Sequence, residues 1–190
     1  MRILIAYATR HGSTRGIAER VAAVLAASGF DVALHEVREI QSLDRYDAFV
    51  IGSAAYLGGW LAEATTFVRE HREDLAGQPV WLFSSGPIGC EPVDAKGRDQ
   101  LVAARPKEFA EFARDLEPRD ERVFFGAWDP DAPPVGVAEG FMARFVRFLP
   151  AAKEAMPAGD FRDWPAIEAW AKGIAAALQQ PPVSAGSSRA

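Results

Sequence analysis

Cysteine is nearly absent from this chain: Cys90 is the only one among 190 residues. No intrachain disulfide can form, and a cysteine-rich metal or iron–sulfur site has no ligands. A lone thiol fits a reducing compartment, and a buried, unreactive place suits Cys90 better than a redox one. Long apolar runs are missing too, none approaching the roughly 18 residues of a membrane-spanning helix. Nor do the first residues resemble a cleavable leader, because one arginine and a short apolar run at 3–7 give way at once to a polar loop. Positive charge is sparse and scattered: 21 Lys and Arg against 26 Asp and Glu leave a net charge of −5, which argues against a nucleic-acid partner. Three familiar phosphate-binding signatures are also absent: Gly-Lys-Ser/Thr, Gly-x-Gly-x-x-Gly, and the cysteine–arginine cradle of the phosphatases. No metal site is expected.

What is present is a regular alternation. Residues 3–7 form a continuous apolar run, 9–14 a polar loop, and 16–27 a helical period with Ile17, Val21, Val24 and Leu25 on one face. Gly29 ends that helix. Strands are then predicted at 31–37, 48–52, 79–83 and 122–126, and helices at 61–74, 107–116 and 164–178. Apolar strands alternating with helices imply parallel pairing and right-handed crossovers, with both sheet faces covered. The expected fold class is therefore α/β: a three-layer, doubly wound, five-stranded parallel sheet with strand order 2-1-3-4-5. Residues 1–180 read as one domain with an insert at about 129–161, and 181–190, rich in Pro, Ser, Gly and Ala, as a disordered tail.

In such a sheet, ligands bind beyond the carboxyl ends of the strands, where strand order reverses. The loop after the first strand holds Thr9, Arg10, His11, Gly12, Ser13 and Thr14 and runs directly into a helix. Hydroxyl donors and free backbone N–H groups at a helix start make a pocket for an anion, although Ser13 or Thr14 serving only as a helix cap is the plainer alternative. A phospho-receiver domain would need acidic residues after strand one and an aspartate ending strand three. Ala8-Thr9 and Gly52-Ser53 occupy those places.

Tyr7-Ala8-Thr9-Arg10-His11-Gly12-Ser13-Thr14 resembles the phosphate signature of the flavodoxins. Within that flavodoxin-like group the chain is most similar to the menaquinone-dependent protoporphyrinogen dehydrogenases, on three features. Ile51-Gly52-Ser53 leads into Tyr56-Leu57-Gly58-Gly59-Trp60; residues 141–149 form an apolar-basic segment; and Asp163-Trp164 opens the last helix. The resemblance implies one non-covalent FMN at the carboxyl edge of the sheet. Thr9, Arg10, His11, Gly12, Ser13 and Thr14 would surround its phosphate. Ser53, Ala54, Ala55, Tyr56, Leu57 and Gly58, with Ser84, Ser85, Gly86, Pro87, Ile88 and Gly89, would surround the isoalloxazine. Tyr56 is preferred to Trp60 as the ring's stacking partner, and Gly58 is placed near flavin N5, where its carbonyl would accept from the protonated nitrogen. A protein nucleophile is not needed, since the flavin carries the redox chemistry.

The implied function is an FMN-dependent oxidoreductase that passes electrons from a small reduced substrate like protoporphyrinogen IX to a quinone. Rival readings are a flavodoxin-type electron carrier working with a redox protein, or an NAD(P)H-quinone reductase. In the insert, Phe141, Met142, Phe145, Val146, Phe148 and Leu149 share one helical face opposite Arg144 and Arg147. That face could serve as a lid, a homodimer contact, a quinone or porphyrin border, or a membrane-surface contact. Glu139, Glu154 and Asp160 offset Arg144, Arg147 and Lys153, so attraction to anionic lipid should be weak. The expected location is cytoplasmic, at most peripheral on the inner membrane face. His35 and His71 show no partner in the sequence and are given no role.

Overall fold

The computed structural model describes residues 1–87, 91, 93, 96–129 and 158–180. β1 (Arg2–Ala8) is buried along nearly its whole length and feeds α1 (Ser13–Ala27). The helix begins three residues before its apolar period does, because Gly12, at φ 80°, turns the chain directly into it. β2 (Asp31–Glu36) follows, then a single 3₁₀ turn, Val37–Glu39. β3 (Ala48–Tyr56) continues well past the predicted end at residue 52, so Ser53, Ala54, Ala55 and Tyr56 are strand and not loop. Leu57 and Gly58, at φ 51° and 77°, reverse the chain into β4 (Gly59–Trp60), which pairs antiparallel with β3.

The helix predicted at 61–74 is two helices, α2 (Ala62–Glu70) and α3 (Arg72–Leu75), separated at His71. His71 Nδ1 lies 3.4 Å from Asp74 and its ring 4.8 Å from Phe67, partners the sequence did not disclose. The chain continues through β5 (Val80–Ser85), α4 (Gln100–Ala103), α5 (Glu108–Leu116) and β6 (Asp120–Phe124). β7 (Ala127–Trp128), β8 (Gly159–Asp160) and α6 (Trp164–Gln179) complete the described residues.

The sheet order is β2-β1-β3-β5-β6 with every neighbouring pair parallel, which is the expected 2-1-3-4-5 order once β4 is set aside. Among the described residues, the two-residue antiparallel β4 is the one departure from an all-parallel arrangement in this sheet. Successive side chains of a strand point to opposite faces, and the core divides accordingly. Ile3, Ile5, Tyr7, Val50, Trp81 and Phe83 pack with Ile17, Val21 and Leu25 of α1 and Ile167, Trp170 and Ile174 of α6. Leu4, Ala6, Phe49, Ile51 and Leu82 pack with Phe67 and Val68 of α2 and Phe109 and Phe112 of α5. Two helical layers thus enclose the sheet.

Register places Ala8 beside Ser53 and Ser53 beside Ser84. The carboxyl ends of β1 and β5 therefore stop at nearly one level while β3 runs on past them to Tyr56, and the segments that follow all three leave from one edge.

Candidate cofactor site

Beyond β1, Thr9 Oγ1 accepts a hydrogen bond from Gly12 N at 3.1 Å, closing the loop on itself. Among the described residues no side chain caps α1 and no acidic residue lies in its first turn, so the backbone N–H groups of that turn are left for another acceptor. Ser13 Oγ accepts from Ala127 N at 2.9 Å. Because Thr9 and Ser13 both accept, each keeps its own hydroxyl proton to donate to an anion. This donor set fits a phosphate group, and it weakens the alternative in which Ser13 or Thr14 merely caps the helix.

Thr14 is wholly buried, and its Oγ1 lies 2.8 Å from Ser85 Oγ at the end of β5. It ties the first loop to the third. Arg10 turns away from the helix start: its guanidinium grips the Glu63 carboxylate of α2 at 2.6 and 3.2 Å, and Arg38 reaches the same carboxylate at 2.9 Å. Burial alone would raise the Glu63 carboxyl, but its backbone hydrogen bond and the guanidiniums of Arg10 and Arg38 outweigh that and hold it below the usual 4.5. His11 sits edge-on to Trp128 with ring centroids 6.0 Å apart.

The second wall is the β3–β4 hairpin. Ser53 is wholly buried, its hydroxyl donating to Ala54 O at 2.9 Å and accepting from Leu61 N at 3.2 Å. Ser84 is equally buried and reaches Ser53 O at 3.4 Å. These two serines hold the strand ends together. Ala54 too is buried, so Ala55, Tyr56, Leu57 and Gly58 are the residues of this segment that reach the surface. Tyr56 is half-exposed, whereas Trp60 is buried against Phe109 and Phe112, at centroid distances of 5.4 and 5.5 Å. Trp60 is thus a core residue. Gly58 O accepts from Lys107 N at 3.0 Å, so meeting a flavin nitrogen would require that peptide to turn over and give up the bond.

In the third segment Gly86 and Pro87 are half-buried, and both are tied to the chain beyond β5: Gly86 N donates to Phe124 O at 3.2 Å, and Gly126 N donates to Pro87 O at 2.9 Å. A Cβ on Gly86 would lie 3.6 Å from the Ala55 Cβ, so the second and third walls are in near contact. Ile88 and Gly89, like Cys90, lie outside the described residues.

Several residues that shape this site were not singled out in the sequence. Glu63 anchors Arg10. The paired β7 and β8 stand against the first loop, where Arg162 Nη1 donates to Ser13 O at 3.3 Å while its other nitrogens hold the Asp160 carboxylate at 2.7 Å. That carboxyl is lowered by the hydrogen bond from Arg162. Asp163 caps α6 through Ala166 N, which explains the Asp-Trp start, but nothing in the local pattern around Arg162 reveals a contact across 149 residues.

A doubly wound sheet with an uncapped, hydroxyl-rich helix start at its switch point defines a mononucleotide-binding type of α/β domain. Residues 4–146 match the model of the flavodoxin domain, and the chain belongs to that family. The quinone-linked protoporphyrinogen IX dehydrogenase of Escherichia coli is 34% identical over 95 residues, a stretch covering 48% of this chain and 52% of that enzyme. The match therefore spans about half of that relative's length. Among solved structures, an archaeal flavodoxin superposes with a TM-score of 0.57 at 14% identity, over 95% of this chain and 100% of its own. A Pseudomonas aeruginosa flavodoxin gives 0.55 at 15% identity, with the same coverage of both chains. At these identities the likeness is one of fold. Family and neighbours together point to FMN as the cofactor.

Proposed function

We propose that the chain is an FMN-dependent oxidoreductase that takes electrons from a reduced substrate of the protoporphyrinogen IX type and delivers them to a quinone. The observation that carries the reading is the first loop, an uncapped helix start whose Thr9 and Ser13 hydroxyls keep their protons for an anion. Thr9, Gly12 and Ser13 would hold the phosphate. Thr14 and Ser85 would fix the distance between that loop and the third one. Tyr56, Leu57 and Gly58 on one side, with Gly86 and Pro87 on the other, offer the apolar and backbone surface that a flavin ring requires. FMN, when bound, supplies the redox chemistry, and the protein's part is to bind it, orient it and admit its partners.

The substrate and acceptor classes rest on the partial match to the dehydrogenase. We take residues 1–180 as one flavodoxin-like domain whose insert leaves and returns through the β7–β8 pair, which stands beside the first loop. The insert is the proposed site for the quinone, with cytoplasmic location and at most weak contact with a membrane face. The predicted apolar helix at 141–149 lies outside the described residues. The likeness to flavodoxins keeps a second reading in play, a one-electron carrier.

Anaerobic mixing of the FMN-loaded protein with protoporphyrinogen IX, followed by a menaquinone analogue, separates the two. Fast bleaching of the flavin and fast return of its visible band are the expected result. A bound flavin indifferent to the porphyrinogen would leave the carrier reading, and a protein that binds no FMN would overturn both.

A further inference from the structure

The tip of the β3–β4 hairpin is held from outside the sheet. Its two turn residues both have positive φ, a conformation that Leu57 adopts at some cost, and Leu57 is 97% exposed with nothing packed on it. What fixes the hairpin is the start of α5. Lys107 N donates to Gly58 O at 3.0 Å, and Trp60 N donates to Glu108 Oε2 at 3.0 Å. The Glu108 side chain is a carboxylate in a place where charge is costly, only 6% of the residue being exposed. Its second oxygen presses on the hairpin as well: a Cβ added to Gly59 would stand 3.2 Å from Glu108 Oε1 and 3.3 Å from Lys107 Cε. Glu108 opens α5, where the helix dipole favours a carboxylate, but such a residue ordinarily faces water. Here its carboxylate meets a backbone N–H on a strand otherwise paired only through two residues.

We infer that Glu108 is a positioning residue for the flavin: by accepting from Trp60 N it sets the hairpin wall, Tyr56 to Gly58, at the height the isoalloxazine needs. This deepens the proposed FMN site and rests on that reading. Glu108 acts on the ring side of the site and leaves the phosphate loop untouched. Two ligands that share the ring but not the phosphate therefore report on it separately.

The test is equilibrium binding of FMN and of riboflavin to the apoprotein, followed by flavin fluorescence, together with the thermal midpoint of each apoprotein. Glu108→Ala should weaken both ligands by about tenfold or more, the scale of one charge-assisted hydrogen bond, and leave their affinity ratio as in the wild type. Thr9→Ala should instead weaken FMN and spare riboflavin. Glu108→Gln, whose amide oxygen can still accept from Trp60 N, should restore most of the affinity. If Glu108→Ala does not fold, Gly59→Ala, which crowds the carboxylate from the other side at a backbone position any residue adopts, should reproduce the parallel loss. Equal affinity in the folded variants, with or without a lower midpoint, would overturn the positioning role. A wild-type protein that binds neither ligand would overturn the FMN site itself.

Discussion

Single residues set close limits on this fold. Gly52 lies under the Phe83 ring, and a Cβ there would fall 2.0 Å from Phe83 Cζ. Phe83 is wholly buried between Phe124 and Trp170, so it has no room to withdraw. Gly52→Ala is expected to destabilise the protein by about 3 kcal/mol, the upper range for overpacking, as read from urea unfolding. Glu63 governs the loop through charge. Its carboxyl is lowered in the folded state, so its contribution to stability is complete above the ordinary 4.5 and is lost as pH falls through the lower folded value. The stability difference between wild type and Glu63→Gln should hold steady above the ordinary 4.5 and shrink below it, measured by unfolding midpoints across a pH series without flavin. A difference that grew on acidification would show the clamp to be misassigned.

Among the elements, β7 and β8 deserve the closest test. They pair Ala127 with Asp160 and Trp128 with Gly159, closing a neck at the foot of the insert, and Ala127 N is bonded to Ser13. A neck closed by its own backbone pairing should survive removal of what lies beyond it. Deleting residues 131–158 is therefore expected to preserve FMN binding, seen in the visible spectrum, and to abolish quinone reduction in a turnover assay. Retained turnover would make the insert a structural appendage. α6 makes a different kind of contribution, burying Ile167, Trp170 and Ile174 on the sheet, with Trp170 Nε1 donating to Asp120 Oδ2 at 2.9 Å. Ile174→Ala should cost about 2 to 5 kcal/mol in urea unfolding, because the buried side chain leaves a cavity between α6 and the sheet.

For the molecule as a whole, the three loops at the carboxyl edge belong to segments far apart in sequence that meet only when the sheet is complete. Cofactor binding should therefore stabilise the entire domain in one transition. FMN at a hundred times its dissociation constant is expected to add about 2.7 kcal/mol to the unfolding free energy, as a shift of a single denaturation curve. A shift confined to one probe, with the rest of the curve unmoved, would mean that the site closes without the fold.

Much of this was already written in the order of the residues. Continuous apolar strands alternating with amphipathic helices dictate a covered parallel sheet, and a polar Thr-x-x-Gly-Ser-Thr loop between the first strand and helix marks the proposed anion end of the site, because both follow from local periodicity and local donors. The strand ends were less visible. Residues 53–56 and 84–85 look like loop by composition, being small and polar, yet pairing carries β3 and β5 through them. The long-range ties were invisible: Arg10 to Glu63, Thr14 to Ser85, Trp60 N to Glu108 and Arg162 to Ser13 join residues 53, 71, 48 and 149 apart. An arginine or glutamate on a polar helix turn reads the same whether it faces water or a partner, and only the packing of the layers brings the partner to it. The sequence by itself determined which segments form the sheet and where an anion could sit. Tertiary structure alone decided how the walls of that site are held, since each tie is made across a distance that no local pattern records.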